Sequence, residues 1–315
     1  TDLAPESKAG GRQFSELVAR HQVDLLHVPC HLTPPDPPVP LVCTIHDVIP
    51  LIYPRTVRNP LVRSRYRALL IQALGQASRV ITVSQISLST LSVYAGVDLS
   101  RVRVIHNGVA EQFRPVTDEE ALAGVRTTYA LPDWFAFWIG EFRPHKNVIL
   151  LLDAWQALQE RLPRRLSLVL AGPQEADFRT TKAAALKRGL RPLVHFPGYI
   201  RNRDLPAVYS AAAVFVFPSL YEGFGLPPLE AMACGTPCVV SNSSALPEVT
   251  GRAAVLFNPT STQQLVDCIA RVVTQPEASA GLREEGFRQS AQFNWRTAAE
   301  ETLEVYRGVL EATPR

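Results

Sequence analysis

The chain has 315 residues, about twice the length of an average domain, so its size favours two domains with separate hydrophobic cores. Apolar residues make up 46% of the sequence and charged residues 19%, a balance that excludes a largely disordered protein. The net charge is +3, and no apolar run approaches the roughly 20 residues of a membrane-spanning helix, so any membrane contact should be peripheral.

The cysteines predict a reducing compartment. There are five, an odd number, and none belongs to a metal-ligand pattern of paired C-x-x-C units. Cys234 and Cys238 are more typical of small buried residues than of a metal or redox pair. The first residues lack the basic and apolar regions of a secretion signal, so we expect a cytoplasmic location.

Short apolar runs alternate with helical patterns through the first part of the chain, which favours a parallel sheet covered by helices. The predicted strands are 24–28, 41–45, 80–83 and 102–105. The predicted helices are 60–77 and 85–95, the second of them capped by Ser84.

Five arginines and no acidic residue fall between positions 55 and 67, directly before the apolar segment 68–73. They are Arg55, Arg58, Arg63, Arg65 and Arg67. The stretch fits contact with an anionic membrane surface, on the inner face of the membrane, and it fits a solvated helix face equally well.

A second alternation of strands and helices follows Asn107-Gly108 and the extended link around Pro115, so we place a domain boundary after Arg114. The predicted strands are 135–139, 166–171, 194–196, 214–217, 238–241 and 255–257. The predicted helices are 148–161, 228–234, 262–273 and 297–310. Two such domains would form a cleft, with ligands outside the carboxyl ends of the strands.

The most informative segment runs from Pro218 to Glu230. Glu222 and Glu230 flank a glycine turn that opens a helix. Backbone amides of this turn can point at an anion, and Glu230 can accept hydrogen bonds from the vicinal hydroxyls of ribose. The amides in question are those of Gly223, Phe224, Gly225 and Leu226. In isolation the same pattern fits a tight turn between two solvated glutamates.

This segment, continued through Val239, resembles the E-x7-E motif of glycosyltransferase family 4, a retaining family with the GT-B fold. Further segments match the family in order and spacing; they are 104–109, 140–147, 168–173, 196–199 and 293–295. The resemblance covers residues 22–310 and implies an α/β protein with two Rossmann-like parallel-sheet domains facing a cleft. It implies a first domain of residues 1–114, a nucleotide-sugar domain of 115–294, and a helix in 295–315 that returns to the first domain.

The beginning of the chain departs from the family, which has an opening strand, a glycine-rich loop and further strand-helix units before the segment that resembles Asp24 to Pro29. Gly10-Gly11-Arg12 is similar to that loop, but no predicted strand precedes it, so we interpret it as a coincidental match or a disordered segment. We therefore expect either a fragment or a naturally reduced first domain.

The resemblance implies roles for individual residues. Lys146 would contact the donor diphosphate, and Arg143 would assist it, because His145 and Glu141 stand where the family usually has an arginine. Glu222 and His46 would align the transferred sugar. Asp47 would orient the loop beside His46, and Ser84 matches a family position near the sugar or acceptor.

The implied reaction is retaining transfer of a hexose to a glycan or lipid-linked acceptor, with the leaving diphosphate helping to deprotonate the acceptor. The segments around Lys146 and His46-Asp47 are most similar to mannosyltransferases, which favours GDP-mannose. The nucleotide sugar is a substrate, and we expect no metal, no cofactor and no nucleic-acid partner. A UDP-sugar donor, a glycosidase using both glutamates, and a non-catalytic nucleotide-binding or partner module remain alternatives.

Overall fold

A computed structural model describes residues 8–57, 59–174 and 177–313. These residues form two compact α/β units, each built on a wholly parallel sheet, as in the GT-B class. The first unit ends at Asn107 and also contains the segment from Trp295 onward; the second is Gly108–Asn294.

The first unit contains a four-stranded sheet in the order β1-β2-β3-β4. The strands are β1 (Leu26–Val28), β2 (Leu41–Ile45), β3 (Arg79–Thr82) and β4 (Val102–Val104). Every residue of β2 is buried, because this apolar strand lies between two neighbours and under helices.

In the part of the first unit that the structure describes, four α-helices precede or connect these strands. They are α1 (Lys8–Arg20), α2 (Ile49–Ile52), α3 (Pro60–Gln76) and α4 (Gln85–Ala95). The Asn59 side chain accepts the Leu61 N–H and caps α3, while Ser84 accepts the Ser87 N–H and caps α4, as predicted. Gly10 and Gly11, considered above as a loop, lie inside α1.

The second unit contains a six-stranded sheet in the order β10-β9-β8-β5-β6-β7. The strands are β5 (Phe135–Ile139), β6 (Ser167–Ala171), β7 (Val194–Gly198), β8 (Val214–Phe217), β9 (Cys238–Ser241) and β10 (Ala254–Phe257). The central strands are buried along nearly their whole length, which explains their uninterrupted apolar runs.

Among residues 108–174 and 177–294, which the structure describes in this unit, eight helices accompany the sheet. They are α5 (Glu119–Tyr129), α6 (Val148–Gln159), α7 (Phe178–Lys187), α8 (Leu205–Ala211), α9 (Leu226–Ala233), α10 (Leu246–Thr250), α11 (Thr262–Thr274) and α12 (Pro276–Ser290). The predicted strands and helices are confirmed within a few residues, whereas α1, α2, α5, α7, α8, α10 and α12 were not predicted.

The last helix, α13 (Trp295–Ala312), packs in the first unit. Val309 of this helix lies in a core cluster with Val42 and Ile81. The Tyr306 hydroxyl also contacts His27 Nδ1 at 2.5 Å. Apolar burial and this polar contact together attach α13 to the first sheet.

The division after Asn107 lies a few residues before the boundary predicted at Arg114. Residues between these positions pack with the second unit: the Val109 N–H donates to the Phe293 carbonyl at 2.9 Å, and the Phe113 ring lies 6.0 Å from that of Tyr209. Among the described residues, no helix is both long enough and apolar enough to cross a membrane.

Candidate functional site

The candidate site lies at the carboxyl edge of the second sheet. Strands β9, β8 and β5 are adjacent and parallel, so the loops that follow them leave the same edge. Lys146 follows β5, and Glu222 follows β8.

The loop after β5 is attached to the loop after β8 through Asn147. A single 3-10 turn, Pro144–Lys146, ends at Asn147, which has a left-handed backbone with φ of 56°. Asparagine tolerates this conformation better than most residues. Its side-chain Nδ2 donates to the carbonyls of Pro218 at 3.1 Å and Pro259 at 2.9 Å.

Lys146 and Glu222, predicted to bind different parts of the donor, contact each other. Lys146 Nζ donates to Glu222 Oε1 at 2.7 Å and to Oε2 at 2.9 Å. Only 17% of the lysine side chain and 10% of the glutamate side chain are exposed. The Phe217 ring lies 5.5 Å from Nζ, within cation–π range. The ion pair is therefore largely desolvated.

The loop after β9 holds the backbone beside Glu222. The Glu222 N–H donates to Ser244 Oγ at 2.8 Å, and Ser243 Oγ donates to the Leu220 carbonyl at 2.6 Å. The Leu220 N–H in turn donates to the His145 carbonyl at 2.7 Å. The three loops thus form one hydrogen-bonded assembly.

Burial, together with the neighbouring charges of Lys146 and Arg143, lowers the pKa of His145 to about 3. The ring is consequently neutral at physiological pH. His145 therefore adds no positive charge beside Lys146.

The glycine turn requires glycine at Gly225, which has φ of +110° and directly precedes α9. A Cβ atom there would lie 2.6 Å from Leu246 Cδ2. Pro227 and Pro228 occupy the first turn of the helix, where no backbone donor is needed. The positive end of the α9 dipole is therefore located next to the Glu222 loop.

Glu230 lies one turn inside α9, where the Tyr209 hydroxyl donates to its Oε2 at 2.9 Å. Burial raises the pKa of Glu230, and the hydrogen bond from Tyr209 opposes that rise. Tyr209 is fully buried, and burial raises the pKa of its hydroxyl, with the Glu230 charge adding to the effect. Tyr209 therefore fixes the orientation of the predicted ribose-binding carboxylate.

Arg143 forms an ion pair with Glu141 of its own loop, Nε to Oε2 at 3.1 Å. Its predicted diphosphate contact stays a prediction.

His46 and Ser84 belong to the first unit. His46 follows β2 with an exposed side chain, and its carbonyl accepts a hydrogen bond from Ser87 Oγ at 3.0 Å. Partial desolvation of the ring lowers the pKa of His46, while the nearby Asp47 charge raises it. Asp47 accepts the Ile49 N–H at 2.8 Å and so orders the loop after β2. Ser84 is buried as the cap of α4.

Three residues that support the site were not predicted: Asn147, Tyr209 and Ser244. Asn147 follows Lys146 at a loop-to-helix junction, which is a usable signal for a left-handed residue. Tyr209 and Ser244 carry no such signal in the sequence, since their contacts join segments that are distant along the chain.

Two α/β units, each with a wholly parallel sheet, and a glycine turn between two glutamates at the edge of the second sheet are features of the GT-B class of glycosyltransferases. A family model described as "Glycosyl transferases group 1" matches residues 128–289, and one described as "Glycosyltransferase Family 4" matches residues 3–113. Both matches show that the chain belongs to glycosyltransferase family 4.

Several known proteins are similar to this chain. The serotype-specific mannosyltransferase WbdA of Escherichia coli is 32% identical over 279 residues, which cover 86% of this chain and 34% of WbdA. The O-antigen chain mannosyltransferase B of E. coli is 33% identical over 84% of this chain and 70% of its own length. The structure of sucrose-phosphate synthase from Thermosynechococcus elongatus superposes with a TM-score of 0.78 and 25% identity, over 96% of this chain and 78% of that protein. The chain thus spans about a third of the length of WbdA.

Proposed function

We propose that this chain transfers a hexose from a nucleotide-sugar donor to a glycan or lipid-linked acceptor, with retention at the anomeric carbon. Membership of the family supports the reaction class. The observation that carries the proposal is that Lys146 pairs with Glu222 just before a buried glycine turn, and that Glu230, the carboxylate proposed to bind ribose, lies in the helix that this turn opens.

The favoured donor is GDP-mannose, because both bacterial relatives are named mannosyltransferases. A UDP-sugar is the alternative donor. Thermal unfolding with GDP, UDP and ADP distinguishes them, since a ligand that binds only the folded state raises the midpoint. We expect the largest rise with GDP; a larger rise with UDP would replace GDP-mannose by a UDP-sugar.

In the proposed reaction, Lys146 and the amides of residues 223–226 stabilise the charge that develops on the leaving diphosphate. Glu230 accepts from the ribose hydroxyls, and Glu222 and His46 contact the transferred sugar. The bond from the anomeric carbon to the diphosphate oxygen breaks, and the acceptor oxygen bonds to the same face of that carbon. The acceptor proton passes to the leaving diphosphate.

Because protein groups supply this positive charge, we propose that transfer needs no metal and no bound cofactor. Transfer at unchanged rate in excess EDTA is the expected result; loss of transfer that added Mg²⁺ or Mn²⁺ restores would contradict this part of the proposal.

The direct test is incubation with GDP-mannose and methyl α-mannoside, with products followed by NMR. We expect release of GDP and an α-linked product, and loss of both with Lys146→Met. Nucleotide binding without release or transfer for any donor would favour a non-catalytic module. Sugar release from a simple glycoside without nucleotide would favour a hydrolase.

We propose in addition that the first unit binds an anionic membrane surface on its cytoplasmic side through the beginning of α3. Arg65 and Arg67 are exposed there, beside Leu61 and Val62, which are 79% and 51% exposed. Arg55 lies in the preceding 3-10 turn, Arg63 is half-buried on α3, and Arg58 lies outside the described residues. The combination of cations and exposed apolar side chains suits an anionic interface.

Vesicle flotation tests the membrane proposal. We expect binding to phosphatidylglycerol vesicles, no binding to phosphatidylcholine vesicles, and loss of binding with the pair Arg65→Glu and Arg67→Glu. Flotation that does not depend on anionic lipid would contradict it.

A further inference from the structure

The Lys146–Glu222 ion pair places a protein carboxylate on the cation that the proposed function assigns to the donor diphosphate. The contact is bidentate, with Nζ to the two oxygens at 2.7 and 2.9 Å. A carboxylate that binds in this way uses donor capacity of the ammonium group that a phosphate oxygen would also need.

The backbone on both sides of the pair is fixed. Asn147 ties the lysine loop to the carbonyls of Pro218 and Pro259. The Glu222 N–H is bonded to Ser244 Oγ at 2.8 Å. The pair can therefore open by rotation of the two side chains while the loops stay in place.

The surroundings make the pair sensitive to the loss of either partner. Both side chains are largely buried, and the Phe217 ring lies on one side of the ammonium group. Removing one member of a desolvated ion pair leaves the other charge uncompensated, and such a charge attracts an added counter-ion strongly.

We propose that Glu222 is the internal counter-ion of Lys146 and competes with the donor diphosphate for it. In the empty site Glu222 neutralises Lys146. When a diphosphate takes over the ammonium group, the Glu222 carboxylate is released and becomes available to sugar hydroxyls. When the nucleoside diphosphate product leaves, the pair re-forms. Glu222 thereby weakens product binding and couples sugar recognition to correct placement of the diphosphate.

The inference rests on the proposed diphosphate contact of Lys146. Calorimetric titration with GDP tests the competition by Glu222 separately from that contact. We expect Glu222→Gln to bind GDP about tenfold more tightly than the wild type, with guanosine affinity unchanged, while sugar transfer falls. Lys146→Met should bind GDP weakly, and the double variant should bind it as weakly as Lys146→Met, because the gain requires the lysine.

The matched control is Glu284→Gln, which removes an acid from an ion pair with Arg288 elsewhere in the second unit. Its GDP affinity should equal that of the wild type. If Glu222→Gln lowers the unfolding midpoint, Glu222→Asp, whose shorter side chain reaches Lys146 less well, should still tighten GDP binding.

Equal or weaker GDP binding by both Glu222 variants, with weak binding by Lys146→Met, would overturn the competition and leave the proposed function standing. Wild-type GDP binding by Lys146→Met would instead overturn the assignment of Lys146 itself.

Discussion

The hydroxyl of Tyr209 donates a 2.9 Å hydrogen bond to the carboxylate of Glu230, the residue proposed to hold the ribose. Tyr209 is fully buried on α8, and Glu230 projects from α9, so the bond joins two helices behind the glycine turn. It orients a partly desolvated carboxylate and, by lowering its pKa, opposes the rise that burial causes.

We predict that Tyr209→Phe raises the KM for the donor severalfold and changes kcat less. The variant removes a hydrogen bond that lowers the pKa of Glu230, so this pKa, already raised by burial, rises further. In the proposed site, donor binding needs the carboxylate form of Glu230. As the pH falls, the variant should therefore lose donor affinity at a higher pH than the wild type does. The pH profile of kcat/KM measures this shift of its acidic limb.

The matched control is Tyr129→Phe, which removes a hydroxyl that donates to Asp204 at 2.6 Å in the same unit. The acidic limb of its kcat/KM profile should lie at the same pH as that of the wild type. An unshifted acid limb in Tyr209→Phe would show that Tyr209 does not tune Glu230.

Gly225→Ala should destabilise the second unit and weaken nucleotide binding. The backbone φ of +110° is unfavourable for a residue with a Cβ atom, and that atom would lie 2.6 Å from Leu246 Cδ2. We expect a loss of about 1–3 kcal/mol in the free energy of unfolding. Urea denaturation measures it.

The control for this variant is Gly124→Ala on α5, where a Cβ atom meets nothing within 4 Å. It should be neutral or should stabilise by up to about 1 kcal/mol, since alanine favours helix. Equal stability of Gly225→Ala and the wild type would contradict the strained turn.

Asn147→Ala and Asn147→Gly separate the two contributions of this residue. Both variants lose the hydrogen bonds to Pro218 and Pro259, while only alanine also strains the left-handed backbone at φ of 56°. We expect losses in the free energy of unfolding of about 1–3 kcal/mol for glycine and roughly 1 kcal/mol more for alanine. A glycine variant as stable as the wild type would show that these bonds contribute little.

His145 should make the protein less stable in mild acid. Its pKa is about 3 in the folded state against an ordinary value of 6.5, so below about pH 6.5 the unfolded state binds a proton that the folded state does not. Between pH 7 and about pH 5.5 this group alone lowers the free energy of unfolding by roughly 1 kcal/mol. Urea titrations at the two pH values should show that His145→Gln lacks this pH-dependent loss of stability. If the variant loses as much stability as the wild type, a group other than His145 is responsible.

The strands could be predicted from the sequence because the central strands are buried on both sides and therefore consist of short apolar runs. The loops that follow them could be located for the same reason. Strands β5, β8 and β9 were predicted with the observed bounds for this reason. Helices such as α7 and α12 were missed, because their many polar and small residues give a weak apolar stripe.

Lys146 and Glu222 follow strand ends as predicted, but their mutual contact was not foreseen, and their roles in donor binding stay predictions. Lys146 and Glu222 are far apart in sequence and meet only because β5 and β8 are adjacent in the sheet, an order that local patterns do not encode. The Tyr209–Glu230 contact depends in the same way on how α8 and α9 pack.

The most direct test of the central claim, that Glu230 holds the ribose of a nucleoside diphosphate beside Lys146, is the GDP dissociation constant of Glu230→Gln. The variant keeps an acceptor for Tyr209 but loses the charge that strengthens bonds from the ribose hydroxyls. The account predicts GDP binding about tenfold weaker than in the wild type, with inorganic pyrophosphate, which has no ribose, bound equally by both proteins. Equal GDP affinity in Glu230→Gln and the wild type would contradict it.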